Sequence, residues 1–296
     1  MQTAGGLWIG IVLSLCALSV YADSAVRVDA LNYPAWLLRN YQTLPLQPGT
    51  RLQDDDLIRT GKDGRIQLRL ADGSAIRLGE SSRFVIRQAA LTPVSGDTPV
   101  PLSFQALRGV VRVSSAFFDA DGPRHRLELK IGAINTTVGK ADIWGRADLA
   151  QDAVCLVEGE LGIEVSSTSS IDMSQALSCF VKPRDQAPLP VDQIDMQQHR
   201  LWIAETDLRS EFGIVTENGQ WQLVLISLSD AQRAQQVLRE FHRQGFAAQD
   251  KTVQRNGRIL HRLLLAGFDS IDAALSARAR LEQQLGVSET WVWKAN

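Results

Sequence analysis

The chain has 296 residues, enough for two domains of ordinary size. Hydrophobic residues make up 45% and charged residues 22%, which excludes a disordered chain, a collagen and a protein with several membrane spans. With 31 basic and 33 acidic side chains the formal net charge is −2, which disfavours a general nucleic-acid binder. The chain holds few side chains that could bind a metal or a cofactor, with three Met, four His and three Cys. We therefore expect no metal, no cofactor and no enzymatic activity.

Residues 1–22 have the pattern of a secretory leader. Leu7–Tyr21 carries no charge and, at about 1.5 Å per helical residue, is too short to cross the roughly 30 Å hydrocarbon core. Small residues flank Tyr21 at the end of the run, so we predict cleavage after Ala22 and no stable transmembrane span. Two alternatives stay open: an uncleaved anchor, because residues 1–6 hold no Lys or Arg, and a lipoprotein signal at Cys16.

Removal of that leader leaves two cysteines, Cys155 and Cys179. An even number of cysteines in an exported chain favours a disulfide. The chain-entropy model gives a bridge closing a loop of about 25 residues a stabilisation of about 3 kcal/mol. Two buried free thiols are the alternative.

From Val26 to Val165 apolar and polar residues alternate. Arg65–Leu70 places its apolar side chains on one face, and Asp72-Gly73 follows as a hairpin turn. The pattern predicts a stacked or curled antiparallel β domain over residues 23–182, with the polar side chains of 65–70 in solvent. The same alternation recurs at Ile76 and Leu78, Phe84 and Ile86, Val111 and Val113, Leu127 and Leu129, and Val154 and Leu156.

Several separated motifs in this region resemble the FecR domain. In its best-known members this domain lies outside the inner membrane and relays a receptor signal to a cytoplasmic segment that binds a sigma factor. Only the predicted leader precedes Asp23 here, so we expect a partner in the envelope rather than that regulatory role, with envelope signalling as an alternative. The motifs are Asp56-Leu57-Ile58-Arg59-Thr60-Gly61, Leu70-Ala71-Asp72-Gly73-Ser74-Ala75-Ile76-Arg77-Leu78-Gly79 and Thr136-Thr137-Val138-Gly139-Lys140-Ala141-Asp142-Ile143-Trp144-Gly145.

Residues 183–218 are predicted to be a linker. Pro183, Pro188 and Pro190 favour extended chain. Residues 191–209 are predicted to be partly helical, because Ile194, Leu201 and Leu208 recur every seven positions, with Trp202 and Ile203 beside them. Such a helix would pack on a neighbouring domain or bind a partner.

Residues 219–296 follow the order β-α-β-β-α-β. A strand over 221–228 precedes a helix capped at Ser229 or Asp230, and Asn256-Gly257 is the turn of a hairpin. Ser270 caps a second helix, and 290–293 forms the last strand. This order predicts an α+β domain of the ferredoxin-like kind, with both helices on one face of a four-stranded sheet.

The C-terminal segments resemble the SPOR domain, a module that binds peptidoglycan glycan strands stripped of their stem peptides. The carrying segments are Trp221–Leu228, His261–Phe268 and Trp291-Val292. The resemblance implies denuded glycan as the partner and a site of five residues. These are Gln222, Ser227, Arg262, Trp291 and Trp293. The two tryptophans alternate along the strand and should share one face.

The sequence departs from the family at three places, one of which is Leu260 or His261, where an aromatic residue is common. Val224 stands where Gln is usual, and Ile226-Ser227-Leu228 replaces a Gly-Ser-Phe run. Glycan binding could therefore be lost, which leaves a protein-interaction scaffold as the alternative. Burial of one tryptophan in the core, or Arg262 as an exposed strand charge without a ligand, are the alternatives at the residue level.

No catalytic motif is present: the four histidines lack metal-ligand spacing, and neither a nucleophile elbow nor a P-loop occurs. Asp54-Asp55-Asp56 lacks the spacing of a calcium loop and is predicted to be a solvated turn. Together the two resemblances predict a non-enzymatic binding protein in the periplasm of a Gram-negative bacterium.

Overall fold

The computed structural model describes residues 24–89, 101–116, 127–166, 169–189 and 191–295. The predicted leader, including Cys16 and the cleavage site, lies outside these residues. The first part of the chain is built of strands. They are β1 Val26–Asn32, β2 Ala35–Arg39, β3 Gln42–Pro45, β4 Leu57–Thr60, β5 Arg65–Leu70, β6 Ala75–Leu78, β7 Arg83–Gln88, β8 Leu102–Ser114, β9 Leu127–Ile131, β10 Ile134–Ala147, β11 Gln151–Ser166, β12 Ser169–Met173 and β13 Ser178–Pro183.

Strand β8 joins the halves of this β region. Its first half pairs with β7 and β9, and its second half pairs with β6 and β10. The change falls at Gly109, whose φ of +93° favours glycine and whose added Cβ would collide with Ser82. Strands β1, β5 and β6 extend the sheet on one side, and β10, β11 and β13 extend it on the other. The predicted mainly β domain, rich in antiparallel pairs, is confirmed.

The alternating apolar residues fill the core. Ile66, Leu68 and Ile76 are fully buried. Phe84 and Phe104 stack with their ring centroids 5.8 Å apart. The period of two in the sequence therefore identifies the inward faces correctly.

One pairing differs from the antiparallel prediction: β8 and β9 are parallel. Both strands pair antiparallel with β10, β9 along 134–138 and β8 along 142–147. Two strands that each run opposite to a third must run in the same direction. The parallel pair is thus a consequence of the length of β10, which the alternation alone does not reveal.

Two polar segments also differ from expectation. Asp56 is not in a solvated turn but is 1% exposed, and it accepts hydrogen bonds from Arg39 at 2.8 and 2.6 Å. Arg65 is 3% exposed, and its Cζ lies 5.7 Å from the ring centroid of Phe212. Phe212 belongs to the predicted linker between the two domains. In both cases a distant part of the chain supplies the partner that allows burial.

The predicted disulfide is confirmed. Cys155 and Cys179 occupy paired positions on β11 and β13 and are joined by an S–S bond. Trp144 on β10 pairs with Cys155, and its ring stacks on Trp202 with centroids 4.5 Å apart. The disulfide and the two rings form a small second core on the outer face of the sheet.

Trp202 belongs to a connecting segment that packs closely on the β region. It contains β14 Asp192–Gln193, α1 Met196–Ala204, a 3₁₀ turn Ser210–Phe212 and β15 Val215–Thr216. Helix α1 is shorter than the predicted 191–209, because Asp195 caps it and residues 192–193 pair with β13. The predicted stripe is wrong at Leu201, which is 61% exposed, whereas Ile194 and Trp202 pack on the second core and His199 is buried.

The last part of the chain has the predicted β-α-β-β-α-β order. Asp230 and Ser270 cap the two helices, and Gly286 ends the second in a left-handed conformation. The elements are β16 Trp221–Leu228, α2 Ala231–Arg243, β17 Gln249–Arg255, β18 Arg258–Phe268, α3 Ile271–Leu285 and β19 Trp291–Lys294.

The N-terminal and C-terminal parts share a hydrogen-bonded edge. Strand β15 pairs with β1 on one side and contributes one pair to β18 on the other. Beside it, the Trp36 Nε1 donates to the carbonyl of Arg243 at 3.0 Å, and the Ala35 amide donates to the carbonyl of Gly245 at 3.0 Å. The connecting segment is therefore part of the fold and does not form a free linker.

Candidate glycan-binding surface

The C-terminal sheet has the strand order β17-β18-β16-β19, and one of its faces is closed. Leu223, Leu225, Leu263 and Leu265 are fully buried and pack with side chains of α2 and α3, among them Phe241 and Leu281. Both helices therefore cover the same face.

The opposite face carries the five residues predicted from the sequence. Trp291 pairs with Val224, Trp293 pairs with Gln222, and Ser227 pairs with Arg262. Directly opposed residues in an antiparallel sheet point to the same side. The helices therefore do not cover this face, which we call the open face.

A bulge at Leu225 brings Ser227 onto this face. The register shifts between Val224 and Ile226, so Ile226 packs with the helix-side core although Val224 does not. Regular alternation would have placed Ile226 on the open face and Ser227 among the helices. The Ile226 departure therefore leaves the hydroxyl position intact.

Arg262 connects the two tryptophans. Its Cζ lies 5.1 Å from the Trp293 ring centroid and 5.7 Å from that of Trp291. Cation–π contacts of this kind contribute about 0.5–1 kcal/mol at exposed sites. Trp293 is 40% exposed and Trp291 is half-buried, so neither ring is sealed in the core.

Two polar atoms on this face lack partners. Within the described residues, the Ser227 Oγ and the Arg262 Nε are buried and form no hydrogen bond. Indole faces suit the C–H faces of sugar rings, while hydroxyl and guanidinium groups can bond to sugar hydroxyls or carboxylates. The arrangement is chemically suited to a carbohydrate.

Comparison with protein families matches two regions. The FecR family, described as FecR protein, matches residues 56–169. The SPOR domain family matches residues 217–292.

The chain contains a FecR domain and a SPOR domain.

Other comparisons add little. No curated protein matches the chain. Two crystal structures of a protein provisionally assigned as an anti-sigma factor from Parabacteroides distasonis are similar at 11% and 12% identity, each with a TM-score of 0.38. They cover 69% and 81% of this chain and 97% and 99% of their own. These low TM-scores support no argument about fold or function.

Two features are absent from the described residues. No helix there is both long and apolar enough to cross a membrane. No group of three or more His, Cys, Asp and Glu side chains there could hold a metal ion.

The Val224 departure lies in the floor of the open face of the SPOR domain. Val224 is 1% exposed and Leu264 is 2% exposed, yet neither belongs to the core beneath the helices. They pair with each other between the Gln222–Ala266 and Ser227–Arg262 pairs. Trp291 pairs with Val224 from the other side. Val224 thus gives the surface an apolar floor in place of an amide.

His261 lies on the helix face. Its Nδ1 is 2.9 Å from an Asp250 carboxylate oxygen, which also accepts a hydrogen bond from Gln235 of α2 at 3.1 Å. His261 is therefore tied to a structural contact under α2 rather than to the open surface.

Sequence reasoning missed Lys251. It lies directly opposite Arg262 on β17, on the open face, and is exposed. The Asn256-Gly257 turn could have revealed it, because counting back along both strands from that turn pairs the two residues.

Proposed function

We propose that this chain is a periplasmic, non-enzymatic binding protein whose SPOR domain holds denuded glycan strands of peptidoglycan. The sugar would lie on the open face formed by Gln222, Ser227, Arg262, Trp291 and Trp293. The FecR domain would meet a second, unidentified partner in the envelope. The disulfide between Cys155 and Cys179 is in keeping with an oxidising compartment.

One observation carries the proposal. Arg262 lies over two tryptophan rings on a sheet face that the helices leave open. This places apolar ring surface beside charged hydrogen-bond donors. Both kinds of group suit a sugar, whose rings have apolar faces and polar edges.

Co-sedimentation with purified sacculi tests the proposal. The protein is produced from Asp23, which keeps every described residue, and is mixed with sacculi that an amidase has freed of stem peptides or with untreated sacculi. We expect most of the protein to pellet with treated sacculi and little with untreated ones.

Two variants locate the binding surface. Trp293→Ala should reduce pelleting with treated sacculi about five- to tenfold, because it removes an exposed stacking surface. Lys294→Ala is the control, since this neighbouring side chain lies on the helix side over Trp221. Failure of the wild-type protein to pellet with treated sacculi would exclude glycan binding and favour the scaffold alternative.

A further inference from the structure

Four basic residues share the open face of the SPOR sheet. The register of β17 and β18 runs without a shift from Gln249 opposite Leu264 to Arg255 opposite Arg258. Alternation therefore puts Lys251 and Arg255 on the same face as Arg258 and Arg262. At about 3.3 Å per residue, the row from Lys251 to Arg255 is about 13 Å long. We call these four residues the basic row.

No carboxylate neutralises the basic row within the sheet. Asp250 is the one acidic residue in the four strands, all of which the structure describes. It points to the helix side, where it contacts His261 and Gln235. None of the four basic side chains forms an ion pair with a described residue, and three of them are exposed.

Uncompensated charge on a binding face indicates an anionic ligand. The SPOR region as a whole holds ten basic and seven acidic residues from Gly219 to Asn296, so the excess of three is small. The register concentrates positive charge on the open face. The position of the charge is therefore more informative than its total.

The glycan backbone of peptidoglycan carries such a charge only after its stem peptides are removed, because the carboxylates of an intact strand lie on the peptides. In an intact strand the lactyl carboxyl group of each muramic acid is bound to the peptide as an amide. Amidase hydrolysis of that bond frees one carboxylate per disaccharide. A denuded strand is thus a regular polyanion, whereas the intact linkage at the same position is neutral.

We infer that the basic row selects denuded glycan by pairing with its free lactyl carboxylates, with Lys251, Arg255 and Arg258 extending the surface that Arg262 begins. This inference rests on the proposed glycan-binding function and specifies how the same surface distinguishes its ligand. Charge-assisted hydrogen bonds from Lys and Arg to carboxylates supply the selectivity. The tryptophans bind the sugar rings in either form.

Binding to two soluble glycan preparations tests the inference. One is amidase-released strands, and the other is the same strands with their lactyl carboxylates converted to methylamides. We expect the wild-type protein from Asp23 to bind the free-acid strands about tenfold more tightly at low salt, and we expect added salt to reduce that preference.

Matched variants separate charge from fold. The triple variant Lys251→Gln, Arg255→Gln and Arg258→Gln should lose the preference and keep its affinity for the methylamide strands. Lys251→Arg with Arg255→Lys and Arg258→Lys should retain the preference. Lys294→Gln removes a charge on the helix side and should behave as wild type. Thermal unfolding midpoints confirm that the variants are folded.

The outcomes distinguish the two proposals. Two results would refute the selective role of the basic row: equal affinity of the wild-type protein for both preparations, or an unchanged preference in the triple Gln variant. Neither result would contradict glycan binding itself. Binding to neither preparation overturns both proposals. A single-stranded oligonucleotide that binds as tightly as free-acid glycan would show a general polyanion site and overturn the assignment to glycan.

Discussion

Arg262 is the residue on which the surface depends most, because its guanidinium lies over both Trp291 and Trp293. A flat, delocalised cation can stack on an indole ring and still direct its N–H groups outward, whereas an ammonium group acts as a point charge. The shape of this side chain, as well as its charge, should therefore matter.

Replacement of Arg262 by Lys separates these two contributions. Arg262→Lys keeps the charge and loses the guanidinium group over the two rings, so we expect its affinity for denuded glycan to fall about fivefold or more. Calorimetric titration with amidase-released strands measures this, with Lys294→Arg as the control on the other side of the sheet. Affinity equal to wild type would show that charge alone is used.

Sequence could predict some of this surface. The alternation of Trp291 and Trp293 predicts their shared face, and the structure places both there. The position of Ser227 depends on the bulge at Leu225, which no glycine or proline marks.

In the FecR domain, the burial of Asp56 depends on Arg39 from another strand. Contacts between distant segments are not encoded in local spacing.

Helix α1 is the element that local pattern describes least well. Its nine residues are too few to be stable alone, so contacts with the sheet decide its bounds and its buried side. His199 is 8% exposed and its Nε2 forms no hydrogen bond with a described residue. Burial, together with the positive charge of Arg112 and against the opposing effect of Asp142, lowers the pKa of His199.

This lowered pKa predicts loss of stability in acid. In the unfolded chain His199 takes up a proton as the pH falls through about 6.5, whereas the folded protein resists protonation. The free energy of unfolding should therefore fall below pH 6.5 until the lower folded-state pKa is reached. Above pH 6.5 His199 is neutral in both states and causes no loss of stability.

Urea unfolding of wild type and His199→Gln at pH 7.5 and pH 5.5 checks this. The wild-type protein should lose more stability than the variant between the two values, since the remaining titratable groups are common to both. An identical loss in the two proteins would show that His199 is not held neutral in the fold.

The elements of the SPOR domain, by contrast, follow from local signals. Asp230 and Ser270 accept hydrogen bonds from the amides of Arg233 and Ala273 as N-caps do. The Asn256-Gly257 turn sets the β17–β18 register over seven pairs. Short-range patterns are sufficient here because each element carries its own start and stop residues.

At the scale of the whole molecule, the two domains are joined by more than the connecting segment. The Trp36 Nε1 and the Ala35 amide donate to the carbonyls of Arg243 and Gly245 in the SPOR domain, each at 3.0 Å. Tyr33 and Phe246 contact with ring centroids 5.8 Å apart. The prolines after residue 182 predicted an extended linker, and they contain no information about these long-range contacts.

Gly245 allows a test of this junction. Its φ is +83°, and an added Cβ would lie 2.5 Å from the Trp36 ring of the other domain. Gly257 has a φ of +74° but no atom within 4 Å of an added Cβ. Ala at either site incurs the left-handed backbone cost of about 1–2 kcal/mol, and only Gly245→Ala also disturbs the junction.

We therefore expect Gly245→Ala to lower the free energy of unfolding more than Gly257→Ala does. Urea unfolding of both variants measures the difference, which isolates the contact between the domains. Equal losses in the two variants would mean that the junction accommodates the added Cβ without loss of stability, contrary to the close approach of Trp36.

The central claim is that glycan lies on the open face of the SPOR sheet. A structure of the protein bound to an amidase-released glycan fragment tests it most directly. We expect a sugar ring against Trp293, with its hydroxyl or carboxylate groups within hydrogen-bond distance of Arg262 and Ser227. Sugar bound on the helix side or on the FecR domain, with the open face empty, would contradict the account.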